Sequence, residues 1–146
     1  MTPLISIAFL RAIFERFLSG YLLDTNVALL GLAKPELVSP AIRKAVERGP
    51  LYLSVVSYWE VTLKSRKRKL DVGDARAWWM NTLEGFAASP LLLRPEHVSA
   101  VNRLEPIHQD PFDRVLIAQA ITEDLALLST DRMIAQYASK HFRVLS

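Results

Sequence analysis

Four acidic side chains of this sequence have the types and positions that could carry out chemistry. Asp24 follows the apolar segment "YLL", and Asp131 follows "LALLST". Asp113 lies in "HQDPFDR", just before an apolar helical segment, and Glu60 lies in "SYWEVTLK". Carboxylates that converge on one crevice repel each other and retain protons at neutral pH, and a divalent cation removes that repulsion. These positions indicate a site for Mg²⁺ or Mn²⁺ if the fold brings them together.

Each acid also has a purely structural interpretation. Asp110, followed by proline, is a good helix N-cap, and Asp113 lies in the first turn, where the helix dipole favours negative charge. Glu60 could pair with Lys64 four residues later. This interpretation suits Glu60 poorly because its neighbours are apolar. It suits Asp24 poorly because that residue ends a core strand. Burying a charge without compensation is costly.

Metal-assisted hydrolysis of a phosphodiester is the chemistry that such a site would support. Mg²⁺ typically takes one or two carboxylates together with water and a substrate phosphate, and the cation polarises the phosphoryl oxygen. The formal net charge of +3 and the pI of about 9.4 favour a polyanionic partner, with nucleic acid the first choice.

Short apolar segments alternate with helical segments five times along the chain. The predicted strands are 21–24, 51–54, a stretch within 90–95, 125–130 and 142–145. The predicted helices are 25–33, 36–49, 55–69, 74–88, 96–104, 111–124 and 131–140. This order predicts an α/β three-layer fold with a central, mostly parallel sheet flanked by helices. Ligands in such folds gather at the carboxyl ends of the strands.

The 146 residues divide into an N-terminal extension and one domain. The sequence predicts that residues 1–20 are an amphipathic helical extension, or the product of an upstream start codon, and that residues 21–146 form the domain. The apolar run at 4–10 is too short to span a bilayer and lacks the preceding charge of a secretion signal. The chain has no cysteine, which excludes disulfides, thiolate zinc sites and cysteine nucleophiles. We therefore expect a cytoplasmic protein with no membrane partner.

The motifs "LLDTN", "SYWEVTLK", "HQDPFDRVLIAQA" and "LLSTD" together resemble those of the PIN-domain ribonucleases, specifically the VapC-type toxins of toxin–antitoxin pairs. The resemblance covers residues 21–146, with the motifs in the family's order and spacing. It implies that the catalytic and metal-binding acids are Asp24, Glu60, Asp113 and Asp131. It implies supporting roles for Asn26, Asp110 and Thr130.

The resemblance also implies an activity and a set of partners. The activity is Mg²⁺- or Mn²⁺-dependent endonucleolytic cleavage of RNA by the toxin of a toxin–antitoxin pair. The implied partners are the RNA substrate, a cognate VapB-like antitoxin that inserts a C-terminal segment into the acidic groove, and a second copy of the chain in a homodimer. Residues 1–20 have no counterpart at the usual start of the family.

A basic run, "KSRKRK" at 64–69, has five cations in six residues. It is either an RNA-binding patch beside the acids or a solvated helix end, where cations suit the dipole. The cations are Lys64, Arg66, Lys67, Arg68 and Lys69.

Aromatic residues and histidines give weaker indications of function. At least one of Trp78 and Trp79 is expected in the core, and the other could stack on bases or contact a second subunit. Trp59 is expected in the core. His108 is expected to form a hydrogen bond within its loop rather than to act as a general base.

Two other classes of function compete with the nuclease. An aspartate-dependent phosphatase would need a second Asp two positions after Asp24, where the chain has Asn26. A non-catalytic RNA-binding or interaction module with the same fold would be favoured by the loss of one acid, but all four are present.

Overall fold

The computed structural model describes residues 5–10 and 20–146, and residues 7–10 are helical. The strands are β1 (Tyr21–Leu23), β2 (Leu51–Ser54), β3 (Ser89–Leu91), β4 (Ala126–Leu128) and β5 (Val144–Leu145). The helices are α1 (Thr25–Ala33), α2 (Pro40–Arg48), α3 (Val55–Arg66), α4 (Ala75–Phe86), α5 (Pro95–Val101), α6 (Pro111–Thr122) and α7 (Arg132–Ala135). A 3-10 turn, Pro35–Leu37, separates α1 from α2. Most of the predicted N-terminal extension lies outside the described residues.

The five strands form one sheet in the order β3-β2-β1-β4-β5, and every described pair is parallel. The predicted α/β fold with a parallel central sheet and flanking helices is confirmed. The chain moves outwards from β1 to β3 on one side and then continues on the other side with β4. Such a change of direction opens a crevice at the carboxyl ends of the central strands. Asp24 lies there, immediately after β1.

Alternate residues of the strands supply two separate apolar cores. Leu23, Leu53 and Leu128 pack on one face of the sheet with helices of the first half of the chain. Leu22 and Leu127 pack on the other face with α6 and the C-terminal segment. Side chains of a strand point alternately to opposite faces, and a sheet covered on both sides needs strands that are apolar throughout.

A buried chain of polar groups ties α5 and α6 to β2. The Ser54 hydroxyl donates to Gln119 Oε1 at 2.6 Å, and Gln119 lies on α6. His97 of α5 is fully buried, its Nδ1 accepts from the Arg94 N–H at 3.0 Å, and its Nε2 lies 2.7 Å from Glu123 Oε1. Buried polar groups must be paired in this way to avoid a desolvation penalty.

Helix α2 begins later than the predicted start at residue 36. Pro40 occupies its first turn, and the Ser39 hydroxyl accepts from the Ile42 N–H at 3.2 Å. Proline suits the first helical turn and serine suits the N-cap, so this pair sets the boundary. The residues before it form only the short 3-10 turn.

The three tryptophans differ in part from expectation. Trp78 and Trp79 are 8% and 9% exposed and belong to the core, and Trp79 stacks on Tyr58 with 5.2 Å between ring centroids. The prediction that Trp59 is a core residue is wrong, because 56% of it is exposed. It lies off the stripe of α3 that faces the sheet, which is formed by residues 56, 57, 60 and 61.

In residues 5–10 and 20–146, no helix combines the length and the apolar character needed to cross a membrane.

Candidate metal centre

Asp24 is buried at the N-terminus of α1, yet its side chain does not cap that helix. Its N–H continues the pairing of β1 with β4 by donating to Leu128 O at 3.0 Å. Its Oδ2 accepts a hydrogen bond of 2.8 Å from the Ser129 hydroxyl, and that hydroxyl accepts from the Asp131 N–H at 3.1 Å. Its Oδ1 is buried and has no hydrogen-bond partner in the described residues. The carboxylate is therefore held in place with one oxygen left over.

Glu60 is the second buried acid. It lies in the middle of α3 and is 3% exposed. Lys64 Nζ donates to its Oε2 at 2.5 Å, so the predicted ion pair between residues four apart is formed. Its Oε1 is buried without a partner in the described part of the chain. The ion pair thus satisfies only half of the carboxylate.

Asp110 and Asp113 lie at the start of α6. Asp110 is the N-cap, and its Oδ1 accepts from the Phe112 N–H at 2.8 Å. Asp113 lies in the first turn, where its carboxylate is free of capping and its Oδ2 lies 2.9 Å from His108 Nε2. The sequence DPFD thus separates a structural acid from one that faces the crevice.

His108 joins two of the acids. The Asp110 N–H donates to its Nδ1 at 3.1 Å, which is the predicted hydrogen bond within the loop. Because Nδ1 accepts, the neutral ring carries its proton on Nε2, which lies 2.9 Å from Asp113 Oδ2 and 3.0 Å from Asp131 Oδ2. Ligand atoms of these three side chains lie within 4.8 Å of one another. The one signal in the sequence that could have placed His108 beside these acids is its position two residues before the capping Asp110.

Burial and mutual repulsion raise the pKa values of Asp24 and Asp113. Desolvation raises the pKa of Asp24 to about 6, and Glu60 and Asp131 add to the shift by repulsion, against the opposing bond from Ser129. Desolvation also raises the pKa of Asp113 to about 7, with repulsion from Asp24. Asp24, Glu60, Asp113 and Asp131 are thus near enough to influence one another electrostatically, and Asp113 and Asp131 meet within ligand distance at His108.

The pKa of Asp131 moves the other way. Partial burial alone would raise it, but the hydrogen bond from His108 and the N–H of Met133, which Asp131 caps at 2.8 Å, hold the pKa below its usual value. Asp131 is thus ionised more readily than Asp24 and Asp113. A cation in the crevice would lower the pKa values of the latter two.

The donor set fits a hard divalent cation. Asp24 and Glu60 would offer the two buried carboxylate oxygens that lack a hydrogen-bond partner among the described residues, and Asp113 and Asp131 would offer oxygens in the cluster around His108. Mg²⁺ and Mn²⁺ prefer oxygen ligands of this kind. Such a cation would also relieve the repulsion that raises the pKa values.

The predicted supporting residues have different surroundings. Asn26 is exposed in the first turn of α1, and Thr130 is exposed after β4. Ser129 lies in the motif "LLSTD" but was not among the predicted site residues. It is fully buried and donates a hydrogen bond to Asp24. No local pattern distinguishes Ser129 from Thr130, because both faces of the sheet are covered and the alternation of side chains favours neither residue.

The basic run divides at the end of α3. Lys64 is engaged with Glu60, and that hydrogen bond raises the pKa of Lys64. The other cations of the run are exposed and are Arg66, Lys67, Arg68 and Lys69. Their role in binding RNA stays a prediction.

An apolar groove of about 400 Å³ lies apart from the acids, at the C-terminal end of α1. It is lined mainly by apolar atoms of α1, α2 and α4, and its acids are Glu36 and Glu47. None of the four motif acids lines it. This groove is therefore separate from the acids at the carboxyl ends of the strands.

Comparison with known proteins gives the family. A family model of the PIN domain matches residues 21–140, and the chain belongs to the PIN domain family. Membership in this family implies nuclease activity, which is a form of hydrolase activity. No curated protein matches the chain in sequence.

Solved structures share the fold. VapBC2 from Rickettsia felis, bound to a DNA fragment from its promoter, has a TM-score of 0.61 at 12% identity over 86% of this chain and 96% of that one. DNA-bound VapBC from Salmonella typhimurium has a TM-score of 0.63 at 14% identity, covering 87% and 97%. VapBC-5 from Mycobacterium tuberculosis has a TM-score of 0.56 at 19% identity, covering 88% and 98%. At these identities the likeness concerns the fold.

Proposed function

We propose that this chain is a Mg²⁺- or Mn²⁺-dependent endoribonuclease that acts as the toxin of a toxin–antitoxin pair. The observation that carries the proposal is the pair of buried carboxylates, Asp24 and Glu60, that share a crevice and each keep one oxygen without a partner in the described residues. Such groups are unfavourable in a protein interior unless a ligand compensates them. Membership in the PIN domain family supports nuclease chemistry at this position.

The four acids would hold the cation, and neighbouring residues would hold the acids. Ser129 fixes Oδ2 of Asp24, and Lys64 neutralises Oε2 of Glu60. When bound, the cation would polarise the phosphoryl oxygen and lower the pKa of a water molecule. His108 keeps one oxygen each of Asp113 and Asp131 in a fixed orientation through its Nε2–H. Asn26 and Thr130, both exposed nearby in sequence, are proposed to orient ligand or water.

The proposed partners follow from the fold relatives and from charge. The solved relatives include a toxin–antitoxin complex from Klebsiella pneumoniae in addition to the VapBC complexes. We infer a VapB-like antitoxin for this chain, a homodimer, and function in the cytoplasm. The net charge of +3 and the exposed cations after α3 favour RNA as the substrate.

Cleavage of RNA by the purified protein tests the proposal. The native protein should cleave RNA in Mg²⁺ or Mn²⁺, and Asp113→Asn should lower the rate by about 100-fold or more, because it removes a charge on which the site depends. Glu47→Gln, an exposed acid outside the crevice, is the matched control and should leave the rate unchanged. Circular dichroism would check that each variant is folded.

Other outcomes would point to the competing functions. Undiminished cleavage in excess EDTA, or in Asp113→Asn, would contradict the metal-dependent mechanism. Binding of RNA without cleavage would identify a non-catalytic RNA-binding module. Release of phosphate from small esters with RNA left intact would identify a phosphatase.

A further inference from the structure

Trp59 is a large apolar side chain left open beside the acids. It is 56% exposed, whereas the other two tryptophans are 8% and 9% exposed. It directly precedes Glu60, and its ring meets that of Phe112 edge to face, with 5.1 Å between centroids and 79° between planes. Phe112 in turn directly precedes Asp113. An aromatic pair therefore lies next to two of the crevice acids.

Phe112 holds the indole in a defined position. An edge-to-face aromatic pair is favourable beyond the area it buries, so the ring of Trp59 is not a freely rotating surface group. A held aromatic residue that is 56% exposed can offer its ring to a ligand at little cost in side-chain entropy. Such rings take up planar ligands, and nucleobases are planar.

Arg66 lies on the same side of α3. It is seven residues after Trp59, which is nearly two full turns, so the two side chains share a helix face about 10 Å apart along the axis. Both are exposed. A strand of nucleic acid along this face would bring a base to the ring and its backbone to the guanidinium group, and the cations at 67–69 follow immediately.

The acids of the crevice make such an external contact necessary. When no cation is bound, the crevice acids repel phosphates, so the energy for binding a polyanion has to come from groups outside them. Trp59, which directly precedes Glu60, supplies an apolar face, and Arg66 supplies a positive charge farther along the same face of α3. Charge complementarity favours single-stranded nucleic acid over a protein segment as the occupant.

We propose that Trp59 is a stacking platform for a base of single-stranded RNA next to the crevice, with Arg66 contacting the phosphate backbone. The inference rests on the proposed function, because it deepens the recognition of the same substrate. Aromatic stacking is worth about 1–3 kcal/mol per base by substitution, which is about a 5- to 150-fold change in affinity.

Fluorescence of the native protein in EDTA provides the first test, because RNA stays uncut. Addition of a 12-residue oligoadenylate should quench the emission of the exposed tryptophan. An abasic 12-residue ribose–phosphate strand carries the same charges without bases and should quench far less. Equal quenching by both strands, or none by either, would overturn the stacking proposal without the need for any variant.

Substitutions provide the second test. Trp59→Leu should abolish the quenching, weaken oligoadenylate binding by 5- to 150-fold, and leave binding of the abasic strand within about twofold. Trp59→Phe keeps an aromatic ring and should fall between the two. An affinity of Trp59→Leu for oligoadenylate within twofold of the native value would overturn the proposal and leave the tryptophan for a protein partner.

Arg66→Ala tests the backbone contact. It should weaken binding of both strands and reduce the slope of log affinity against log salt by about 0.7, the value for one phosphate contact of a single strand. Arg48→Ala, an exposed arginine in the last turn of α2, is the control and should leave the slope unchanged. An unchanged slope in Arg66→Ala would contradict the contact.

The experiment separates this inference from the proposed function. If RNA quenches the fluorescence in a base-dependent way but is not cleaved when Mg²⁺ is added, the nuclease proposal is contradicted and the stacking proposal stands. Cleavage of RNA with the same KM in native protein and Trp59→Leu would contradict the platform and leave the nuclease in place.

Discussion

Single residues decide how the crevice holds its charge. Asp24 and Asp113 are each raised in pKa by burial, whereas Asp131 is lowered by its bonds to His108 and to the start of α7. Three aspartates in one crevice thus have different affinities for protons because their hydrogen bonds differ. The cation-free protein therefore keeps Asp24 and Asp113 ionised at a cost to its stability, whereas the ionised Asp131 stabilises it.

Asp113→Asn should stabilise the protein when no cation is bound. The pKa of Asp113 is higher in the fold, about 7, than in the unfolded chain, about 3.8, so folding takes up protons and the free energy of unfolding falls as pH rises through that interval. The neutral amide avoids this loss. Urea unfolding in EDTA should show Asp113→Asn more stable than native by on the order of 1–3 kcal/mol at pH 8, and by less at pH 4.

Asp131→Asn is the matched control with the opposite sign. The pKa of Asp131 is lowered in the fold, so its contribution to stability is present above the unfolded value and is lost as pH falls through the folded value. This variant should be less stable than native at pH 8. Equal stability of native protein and Asp113→Asn across the pH range would contradict the account of the crevice.

At the scale of elements, short apolar strands that end in polar residues bring distant side chains to one edge. Asp24 directly follows β1 and Ser129 directly follows β4, and these two residues form a hydrogen bond although 105 positions separate them in sequence. Glu60 lies on α3, in the connection from β2 to β3, and Asp113 lies on α6, in the connection from β3 to β4. The crevice follows from the parallel order of the strands.

The sequence predicted these elements because each combines an apolar run with a clear boundary residue. It predicted the edge at which the acids lie, since parallel strands end together. It did not predict that Ser129 would face inwards, that His108 would bond two acids, or that Trp59 would be exposed. Those features depend on side-chain directions between elements distant in sequence, which local pattern does not determine.

Gln119→Leu should loosen the attachment of α5 and α6 to the sheet. It leaves the Ser54 hydroxyl without its acceptor and the Leu92 carbonyl without its donor at 3.3 Å. Loss of partners for buried polar groups costs about 1–3 kcal/mol. Urea unfolding should show a lower midpoint with an unchanged m-value. Gln136→Leu, at an exposed position after α7, is the control, and an equally small effect of both would contradict the structural role of Gln119.

At the scale of the whole molecule, the chain combines a net positive charge with a cluster of acids. The net charge is +3, yet Asp113 and Asp131 meet at His108, and Asp24 and Glu60 are buried acids whose charges act on Asp113. The exposed cations after α3 can attract a polyanion, and the acids can accept a divalent cation that neutralises the approach of a phosphate. Exposed cations together with clustered acids suit a nuclease of the PIN domain family.

Binding of Mn²⁺, followed by electron paramagnetic resonance at pH 7.5, tests the shared cation site most directly. The native protein should bind Mn²⁺, Asp24→Asn should weaken binding by at least about tenfold, and Glu47→Gln should leave it unchanged. Mg²⁺ should compete for the same site. Equal Mn²⁺ affinity in native protein and Asp24→Asn would contradict the claim that these acids hold the cation.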